Sequence, residues 1–211
     1  MKALRLQLDE QRVDARKLAN AAARLDDGGV AVLPTDTNYA LASPLGDRSS
    51  LERIRQLRGL DARHLFTFLG AGFDELGRYA VVDNDHFRML KSLVPGPYVF
   101  VLKATSLVPK SFAAPKRRTI GFRVADSDVL RQFIDQLGRP LLSCTLFEPG
   151  GDAPVRNLAG MEKWLDKVAD LVIDAGELPG SDATVVDLSE PQMQILRAGA
   201  GIENLQGGRG A

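Results

Sequence analysis

Cysteine and histidine are scarce in this 211-residue sequence, which contains one cysteine, Cys144, and two histidines, His64 and His86. A single cysteine cannot form an intramolecular disulfide, and no His/Cys cluster has the spacing of metal ligands. No apolar run has the length of a membrane-spanning helix, and the N-terminal segment MKALRLQLDEQR lacks the apolar core of a secretory signal. We therefore expect a cytoplasmic protein that does not cross a membrane and has no cysteine-rich metal site.

The general motifs of nucleotide-binding and hydrolytic enzymes are absent as well. The sequence has no G-x-x-x-x-G-K-[ST] phosphate-binding loop and no nucleophile elbow. Gly70-Ala71-Gly72 begins like a dinucleotide-binding fingerprint, but Glu75 stands where the third glycine belongs. What remains is a set of polar residues distributed over separate segments.

Net charge is also lacking, because 27 Lys and Arg residues balance 27 Asp and Glu residues. The distribution is uneven: residues 48–131 include 15 basic and 8 acidic residues, a net charge of +7. Such a segment can present a basic face that attracts phosphates, although its arginines could equally lie on solvated helix faces. With 45% hydrophobic residues, the chain suits a single globular domain over residues 1–211.

Hydrophobic patterning predicts helices and strands that alternate early in the chain and strands that cluster late, which favours a mixed α/β sheet. The predicted helices cover residues 14–27, 49–58, 83–94, 127–137 and 157–169. The predicted strands cover residues 30–33, 65–69, 98–102, 119–124, 140–147, 171–173, 184–186 and 194–196. Turn residues at 148–154 (EPGGDAP) predict a loop that could act as a mobile lid.

The most informative stretch is VAVLPTDTNYAL at residues 30–41. Pro34 ends a buried strand, and five polar side chains from Thr35 to Tyr39 follow at once. In open α/β sheets ligands bind beyond strand ends, although a polar turn can also simply cap its own backbone. Both interpretations of this turn remain open from the residues alone.

Other predicted strands also carry hydroxyl or cationic side chains at or near their ends. With the first turn, the set comprises Thr35, Thr37, Lys103, Arg123, Ser143, Thr145, Thr184 and Arg197. Hydroxyls and cations at one edge of a sheet suit an anionic, hydrogen-bonding ligand such as a nucleotide or a carboxylate. No pair among them resembles an acid/base couple, so any chemistry would rely on positioning and charge stabilisation.

Six ordered sequence blocks give a resemblance to a known family. GGVAVLPTDTNYAL, PGPYVFVLK, TIGFRV, LLSCT, ATVVDLS and ILRAG occur in the order and spacing of the YrdC-like family. The similarity covers a core of about residues 15–202 and leaves 203–211 as a flexible tail. It implies a single-domain, twisted, open mixed sheet with helices around a large concave, positively lined cavity. Synthases of the family make threonylcarbamoyl-adenylate from threonine, bicarbonate and ATP for tRNA modification.

The resemblance also implies roles for individual residues. The threonine side of the ligand would meet Thr35, Thr37, His64, Arg123 and Thr184, and Arg123 would face the carboxylate. The nucleotide side would be formed by Arg58, Thr119, Ser143, Thr145 and Arg197. ATP is the expected substrate, and Mg²⁺ is expected to accompany it, although no carboxylate stands out as a metal ligand.

Two departures from the synthase pattern indicate the YciO branch of the family. Arg58-Gly59-Leu60 stands in place of K-x-R, and Ser143-Cys144-Thr145 stands in place of S-x-N. Leucine cannot replace a guanidinium that pairs with phosphate, and threonine lacks the donor pair of an amide. The resemblance thus implies a YciO-type protein related to tRNA threonylcarbamoyladenosine biosynthesis, with synthase activity weakened or absent.

An alternative function is a non-catalytic module that binds tRNA or double-stranded RNA, since the family is known for RNA binding. Its candidate contacts are the loop residues Lys110, Lys116, Arg117 and Arg118, which lie in the basic part of the chain. The two functions are compatible, because a modification enzyme can also bind its RNA. The sequence leaves the oligomeric state open.

Overall fold

The computed structural model describes residues 2–8, 14–61 and 64–206, apart from the side chains of residues 85 and 206. The strands are β1 (Leu4–Gln7), β2 (Ala31–Leu33), β3 (Ala40–Pro44), β4 (Thr67–Leu69), β5 (Ala80–Val81), β6 (Tyr98–Ala104), β7 (Thr119–Arg123), β8 (Leu141–Thr145), β9 (Leu171–Asp174), β10 (Thr184–Asp187) and β11 (Gln194–Arg197). The helices are α1 (Ala15–Asp26), α2 (Arg48–Arg58), α3 (Phe73–Tyr79), α4 (Asn84–Leu93), α5 (Asp128–Leu137), α6 (Glu162–Val168) and α7 (Ile202–Gln206). A short 3₁₀ helix covers Lys110–Phe112.

The strands form one open sheet in the order β1-β9-β2-β3-β8-β4-β7-β6-β10-β11, with β5 paired to β6 off this path. The pairs β1–β9, β2–β9, β4–β7 and β6–β10 are parallel. The pairs β2–β3, β3–β8, β4–β8, β6–β7, β5–β6 and β10–β11 are antiparallel. The predicted mixed α/β sheet is therefore confirmed.

The two faces of the sheet bury different hydrophobic clusters. Along β2, Ala31 and Leu33 pack with α1 and α5, whereas Val32 packs with the cluster that includes residues of α2, α3, α4 and α6. This alternation follows from the two-residue period of a strand. The α1/α5 face is the one that matters for the site, because its hydrophobic cover stops part of the way along β4 and β8.

Several predicted boundaries are confirmed by local capping. Asp14 accepts hydrogen bonds from the backbone N–H groups of Arg16 and Lys17 at the start of α1. Ser127 caps α5, and Gly138 ends it in the left-handed conformation. These signals are readable in the sequence because a cap satisfies backbone groups within its own turn.

Other predicted boundaries were wrong. Helix α2 begins at Arg48 rather than at Ser49, because Asp47 is its N-cap. Helix α6 covers only the second half of the helix predicted at 157–169: Gly160 has a φ of +80°, and the Asn157 side chain accepts a hydrogen bond from the backbone N–H of Ala159. Strands β1 and β3 and helix α3 were not predicted.

Residues 203–206, predicted as part of a flexible tail, lie in α7, where Leu205 is buried. Residues 207–211 lie outside the described residues. In the parts of the chain that the structure describes, no helix is long and apolar enough to cross a membrane.

Asp47 stabilises more than the start of α2. Its carboxylate accepts hydrogen bonds from the backbone of Ser50, the hydroxyl of Ser49 and the backbone N–H of Gly29. Burial acts to raise the pKa of this carboxyl, but the hydrogen bonds from Ser50, Ser49 and Gly29 outweigh it and lower the pKa to about 2. Asp47 therefore ties the turn before β2 to α2.

We predict that Asp47→Ala lowers the free energy of unfolding at pH 7 by about 1–2 kcal/mol, the usual cost of losing an N-cap. A folded-state pKa of about 2 lies below the unfolded value of about 3.9, so this stability is present above the unfolded pKa. The difference between wild type and variant should shrink as pH falls through that interval. Urea denaturation at several pH values measures it, with Asp152→Ala, an exposed carboxylate, as control. A gap that is constant with pH would contradict the assignment.

Candidate functional site

The candidate site is a cavity of about 320 Å³ on the α1/α5 face of the sheet. Along β8, the same-face residues change from Leu141, which is buried against α1 and α5, to Ser143 and Thr145, which line the cavity. Along β4 the same change runs from Leu69 to Thr67. The cavity thus begins where the two helices stop covering the sheet.

Four neighbouring strands supply a row of residues across the cavity floor. Val101 on β6 pairs with Gly121 on β7, Gly121 pairs with Thr67 on β4, and Thr67 pairs with Ser143 on β8. Paired residues in a sheet point to the same face, so these four residues form one continuous row on the cavity floor. A Cβ atom at Gly121 would lie 3.1 Å from Val99 Cγ1, so glycine keeps the floor low at its centre. With Val99 and Val185, this part of the floor is apolar.

The turn after β2 forms one wall of the cavity. The hydrogen bonds of its two threonine hydroxyls run in one direction. The Thr35 hydroxyl donates to the backbone carbonyl of Asn38 at 2.6 Å and accepts from the backbone N–H groups of Thr37 and Asn38. Because a hydroxyl has one proton, Thr37 must be the donor in its 3.1 Å contact with Thr35. Thr35 is therefore fully engaged in its own turn, and Thr37 keeps only acceptor capacity for a ligand.

Arg123 at the end of β7 joins this turn to the cavity floor. Its Nη2 donates to Thr37 Oγ1 at 2.9 Å and to Asp36 Oδ1 in a short ion pair. Both side chains of the pair are close to nine-tenths buried, with 10% and 11% of their surface exposed. Arg123 Nε and Asp36 Oδ2 are buried without hydrogen-bond partners, and so is Asn38 Oδ1.

Arg197 lies on the edge strand β11, beside the segment 180–183, which bonds to the turn after β2 through Gly180 N to Thr37 O and Asn38 Nδ2 to Ser181 O. Its Nε and Nη2 donate to the backbone carbonyl of Ala183 at 3.1 and 2.9 Å. The residue is exposed, and it lines the cavity together with Asp182. These bonds hold the guanidinium in place while leaving its charge without a carboxylate partner among the described residues.

His64 and Cys144 also line the cavity, and the charge of Arg58 acts on both. Burial, followed by the charges of Arg55 and Arg58, lowers the pKa of the His64 imidazole, which is therefore uncharged at neutral pH. Burial raises the pKa of the Cys144 thiol to about 11, against the opposing effect of Arg58, so the thiol is protonated. Neither side chain provides an ionised nucleophile at neutral pH.

Comparison with known proteins shows the family of the chain. The model of the Sua5/YciO/YrdC family, described as "Telomere recombination", matches residues 23–199. The uncharacterised protein YciO of Escherichia coli strain K12 is 37% identical over 187 residues, which cover 88% of this chain and 91% of YciO. The chain belongs to the Sua5/YciO/YrdC family.

A more distant relative in the family carries an activity in its name. The threonylcarbamoyl-AMP synthase of Pyrococcus abyssi is 27% identical over 191 residues, covering 90% of this chain and 56% of the synthase. Its own length therefore extends well beyond the part that this chain matches.

Solved structures of the family confirm the fold. The crystal structure of E. coli YciO superposes with a TM-score of 0.86 at 35% identity, covering 95% of this chain and 97% of that one. The crystal structure of P. abyssi Sua5 complexed with L-threonine gives a TM-score of 0.86 at 22% identity, covering 98% and 60% of the two chains.

The cavity brings together eight of the ten ligand-binding residues predicted from the resemblance to the family. They are Thr35, Thr37, His64, Thr119, Arg123, Ser143, Thr145 and Arg197. Five separate segments of the chain supply them. Their roles in ligand binding remain predictions, because proximity alone does not test a contact.

The other two predicted residues do not line the cavity. Thr184 is fully buried on β10: its hydroxyl donates to Ala200 O at 2.8 Å and accepts from Gly199 N, so it anchors the chain after β11. Arg58 stacks on the Phe147 ring, with Cζ 3.5 Å from the centroid, and donates to Thr145 O at 3.0 Å. The contact with Phe147, which is distant in sequence, thus holds the Arg58 guanidinium away from the cavity lining.

Sequence reasoning missed the roles of Asp36, Asn38, Thr67, Gly121 and Asp182. Asp36 and Asn38 lie in the PTDTN turn, and their spacing beside Thr35 and Thr37 was the available signal. Nothing local marks Thr67 or Gly121, because their place in the floor depends on strand pairing. The loop at 148–154 was predicted as a lid. A hydrogen bond from Glu148 N to Ala153 O connects its two ends, and its residues do not line the cavity.

The predicted RNA-binding residues Lys110, Lys116, Arg117 and Arg118 are exposed in the segment between β6 and β7, outside the cavity lining. Arg117 pairs with Asp187 at 3.2 Å, and Arg118 Nη2 contacts the carbonyls of Thr105 and Val108 at 3.4 Å. Lys103, at the far end of β6, is exposed and does not line the cavity either. Within the described residues, no group of three or more His, Cys, Asp or Glu side chains could hold a metal ion.

Proposed function

We propose that the chain binds ATP and a threonine-like amino acid, or threonylcarbamoyl-adenylate, in this cavity, and acts in chemistry related to tRNA threonylcarbamoyladenosine biosynthesis. The observation that carries the proposal is the convergence of eight predicted ligand residues on one cavity. A relative named threonylcarbamoyl-AMP synthase and a family structure titled as a complex with L-threonine support the choice of ligand.

Two groups of lining residues suit the two parts of such a ligand. The apolar floor around Gly121, Val99 and Val185 offers a flat surface for a base, near the exposed cation of Arg197. The Thr37–Arg123 wall offers a hydroxyl acceptor and a guanidinium for the amino-acid part. Mg²⁺ enters the proposal only as an ion carried by the ATP phosphates.

We propose further that synthase activity is weakened. Leu60 packs against the hydrophobic core, so the place of a second cation is taken by an apolar side chain. Thr145 provides a hydroxyl where the synthases have an amide, and Arg58 is bound to Phe147 and the Thr145 carbonyl. Loss of one donor to a transition state costs on the order of 3 kcal/mol, roughly a hundredfold in rate.

A second candidate function is RNA binding by the loop between β6 and β7. The observation that favours it is the exposure of Lys110 and Lys116 beside Arg117 and Arg118 on a single segment. Such a surface would bind the phosphate backbone of tRNA or double-stranded RNA, with or without chemistry in the cavity.

We predict that Arg197→Ala weakens ATP binding about tenfold to a hundredfold, as expected when a hydrogen-bonded charge contact is lost. Isothermal titration of the wild type and the variant with ATP, and with threonylcarbamoyl-adenylate, measures the change. Arg156→Ala is the matched control, because Arg156 pairs with Glu177 on the surface and does not line the cavity. If the wild type binds neither ligand, the proposed function is wrong.

Restoring the synthase pattern should raise adenylate formation. We predict that the double variant Leu60→Arg, Thr145→Asn forms threonylcarbamoyl-adenylate from ATP, threonine and bicarbonate about tenfold faster than the wild type, or more. Leu57→Arg adds the same charge at an exposed position of α2 and serves as control. Equal rates in the double variant and the control would show that the two departures do not limit the activity.

RNA binding should depend steeply on salt and on the two exposed lysines. We predict that Lys110→Glu, Lys116→Glu weakens binding of tRNA or duplex RNA and flattens the slope of log affinity against log salt. Lys163→Glu, Lys167→Glu on α6 makes the same change in net charge at other exposed lysines. Fluorescence anisotropy at several salt concentrations distinguishes them, and an equal loss in both variants would place the RNA elsewhere.

A further inference from the structure

The Asp36–Arg123 ion pair constrains what the amino-acid end of the cavity can bind. Arg123 is the guanidinium expected to meet a ligand carboxylate, yet it already pairs with a carboxylate of its own chain. The following inference rests on the proposed function, because it concerns selection of the amino acid at that same site.

The geometry limits the hydrogen bonds that Arg123 can offer. A guanidinium binds a carboxylate through two parallel N–H groups, either Nε with Nη2 or Nη1 with Nη2. Both arrangements need Nη2, whose two N–H groups donate to Asp36 Oδ1 and Thr37 Oγ1. A ligand carboxylate therefore cannot take either donor pair while these two bonds remain.

Asp36 also balances the charge of Arg123. Asp36 is in hydrogen-bond contact with the guanidinium and nearly as buried, so an approaching anion meets a pair that is close to neutral. Asp36 Oδ2 is buried without a partner, as is Asn38 Oδ1 on the same turn. Arg123 Nε is an unpartnered donor on the same wall, so the unpartnered atoms comprise two acceptors and one donor, which suits an ammonium group beside a carboxylate. Asp36 does not itself line the cavity, so it acts on a ligand through its field.

We propose that Asp36 is a specificity-determining residue, which makes the cavity select ligands that carry an ammonium group beside their carboxylate over ligands that carry a carboxylate alone. A zwitterion places its carboxylate toward Arg123 and its ammonium group in the field of Asp36. A simple carboxylate gains only the first interaction and is repelled by Asp36. Asp36 acts through its charge and its hold on Arg123, so a direct bond from the ligand to Asp36 is not required.

The test compares L-threonine with 2,3-dihydroxybutanoate, in which a hydroxyl replaces the ammonium group. Isothermal titration of the full chain should show L-threonine binding about tenfold more tightly or better, the effect of one opposite charge within several ångströms. In Asp36→Asn the ratio of the two dissociation constants should fall toward one, because the unneutralised Arg123 attracts either carboxylate. Asp36→Glu retains the charge and should retain the preference.

Asp128→Asn is the matched control, because it removes the carboxylate of another Arg–Asp pair, with Arg131, on the surface. Its ratio should equal that of the wild type. The ratio is informative even where a variant is less stable, since a purely structural defect weakens both ligands together. If Asp36→Asn does not fold, as circular dichroism would show, the wild-type ratio and the Asp36→Glu ratio still decide.

Equal affinities in the wild type, or a preference for L-threonine that persists in Asp36→Asn, would overturn the inference. ATP binding without binding of either small ligand would overturn it alone and leave the nucleotide part of the proposed function standing. Failure of ATP, threonylcarbamoyl-adenylate and both small ligands to bind the wild type would instead overturn the proposed function.

Discussion

The contact between Arg123 and the turn after β2 is the interaction on which the site depends. One guanidinium nitrogen holds both Asp36 and Thr37, and the hydroxyl of Thr37 in turn donates to Thr35, which closes the turn on the Asn38 carbonyl. Removing one member of a buried ion pair typically costs about 3–5 kcal/mol, because the other charge is left unpaired. The position of the cavity floor and the conformation of its wall are therefore coupled through a single side chain.

The cavity exists because hydrophobic cover on one sheet face is incomplete. Helices α1 and α5 bury Leu69 and Leu141, and the next same-face residues, Thr67 and Ser143, are polar and open to the cavity. Thr67 and Ser143 thus lie on strands rather than on loops, which fixes the spacing of these two side chains. Gly121 completes the arrangement, because any larger residue there would raise the centre of the floor.

Sequence reasoning succeeded where the determinants are local. The caps at Asp14, Ser127 and Gly138 were readable, and so was the polar turn after Pro34. It failed where the position of a side chain depends on which face of the sheet it points to or on a partner distant in sequence. Thr184 points away from the cavity, and Arg58 is held by Phe147. Thr35 caps its own backbone, as one interpretation of the first turn expects, while Thr37 and Asp36 contact Arg123; binding of a ligand by this turn stays a prediction.

The balance of charge in the cavity differs from that of the chain segment that supplies much of it. Residues 48–131 carry a net charge of +7. In the cavity, however, Arg123 is paired with Asp36, which lies outside the lining, and His64 is uncharged at neutral pH. Arg197 provides the remaining positive charge, and the carboxylate of Asp182 lines the same cavity. For the proposed ligands, contact with the phosphates would therefore depend on one exposed guanidinium, whereas the Asp36–Arg123 wall is fixed by a buried network. Under the proposed function, a substitution of Arg197 should consequently change ligand affinity without disturbing the fold, whereas a substitution in the Asp36–Arg123 network should change both.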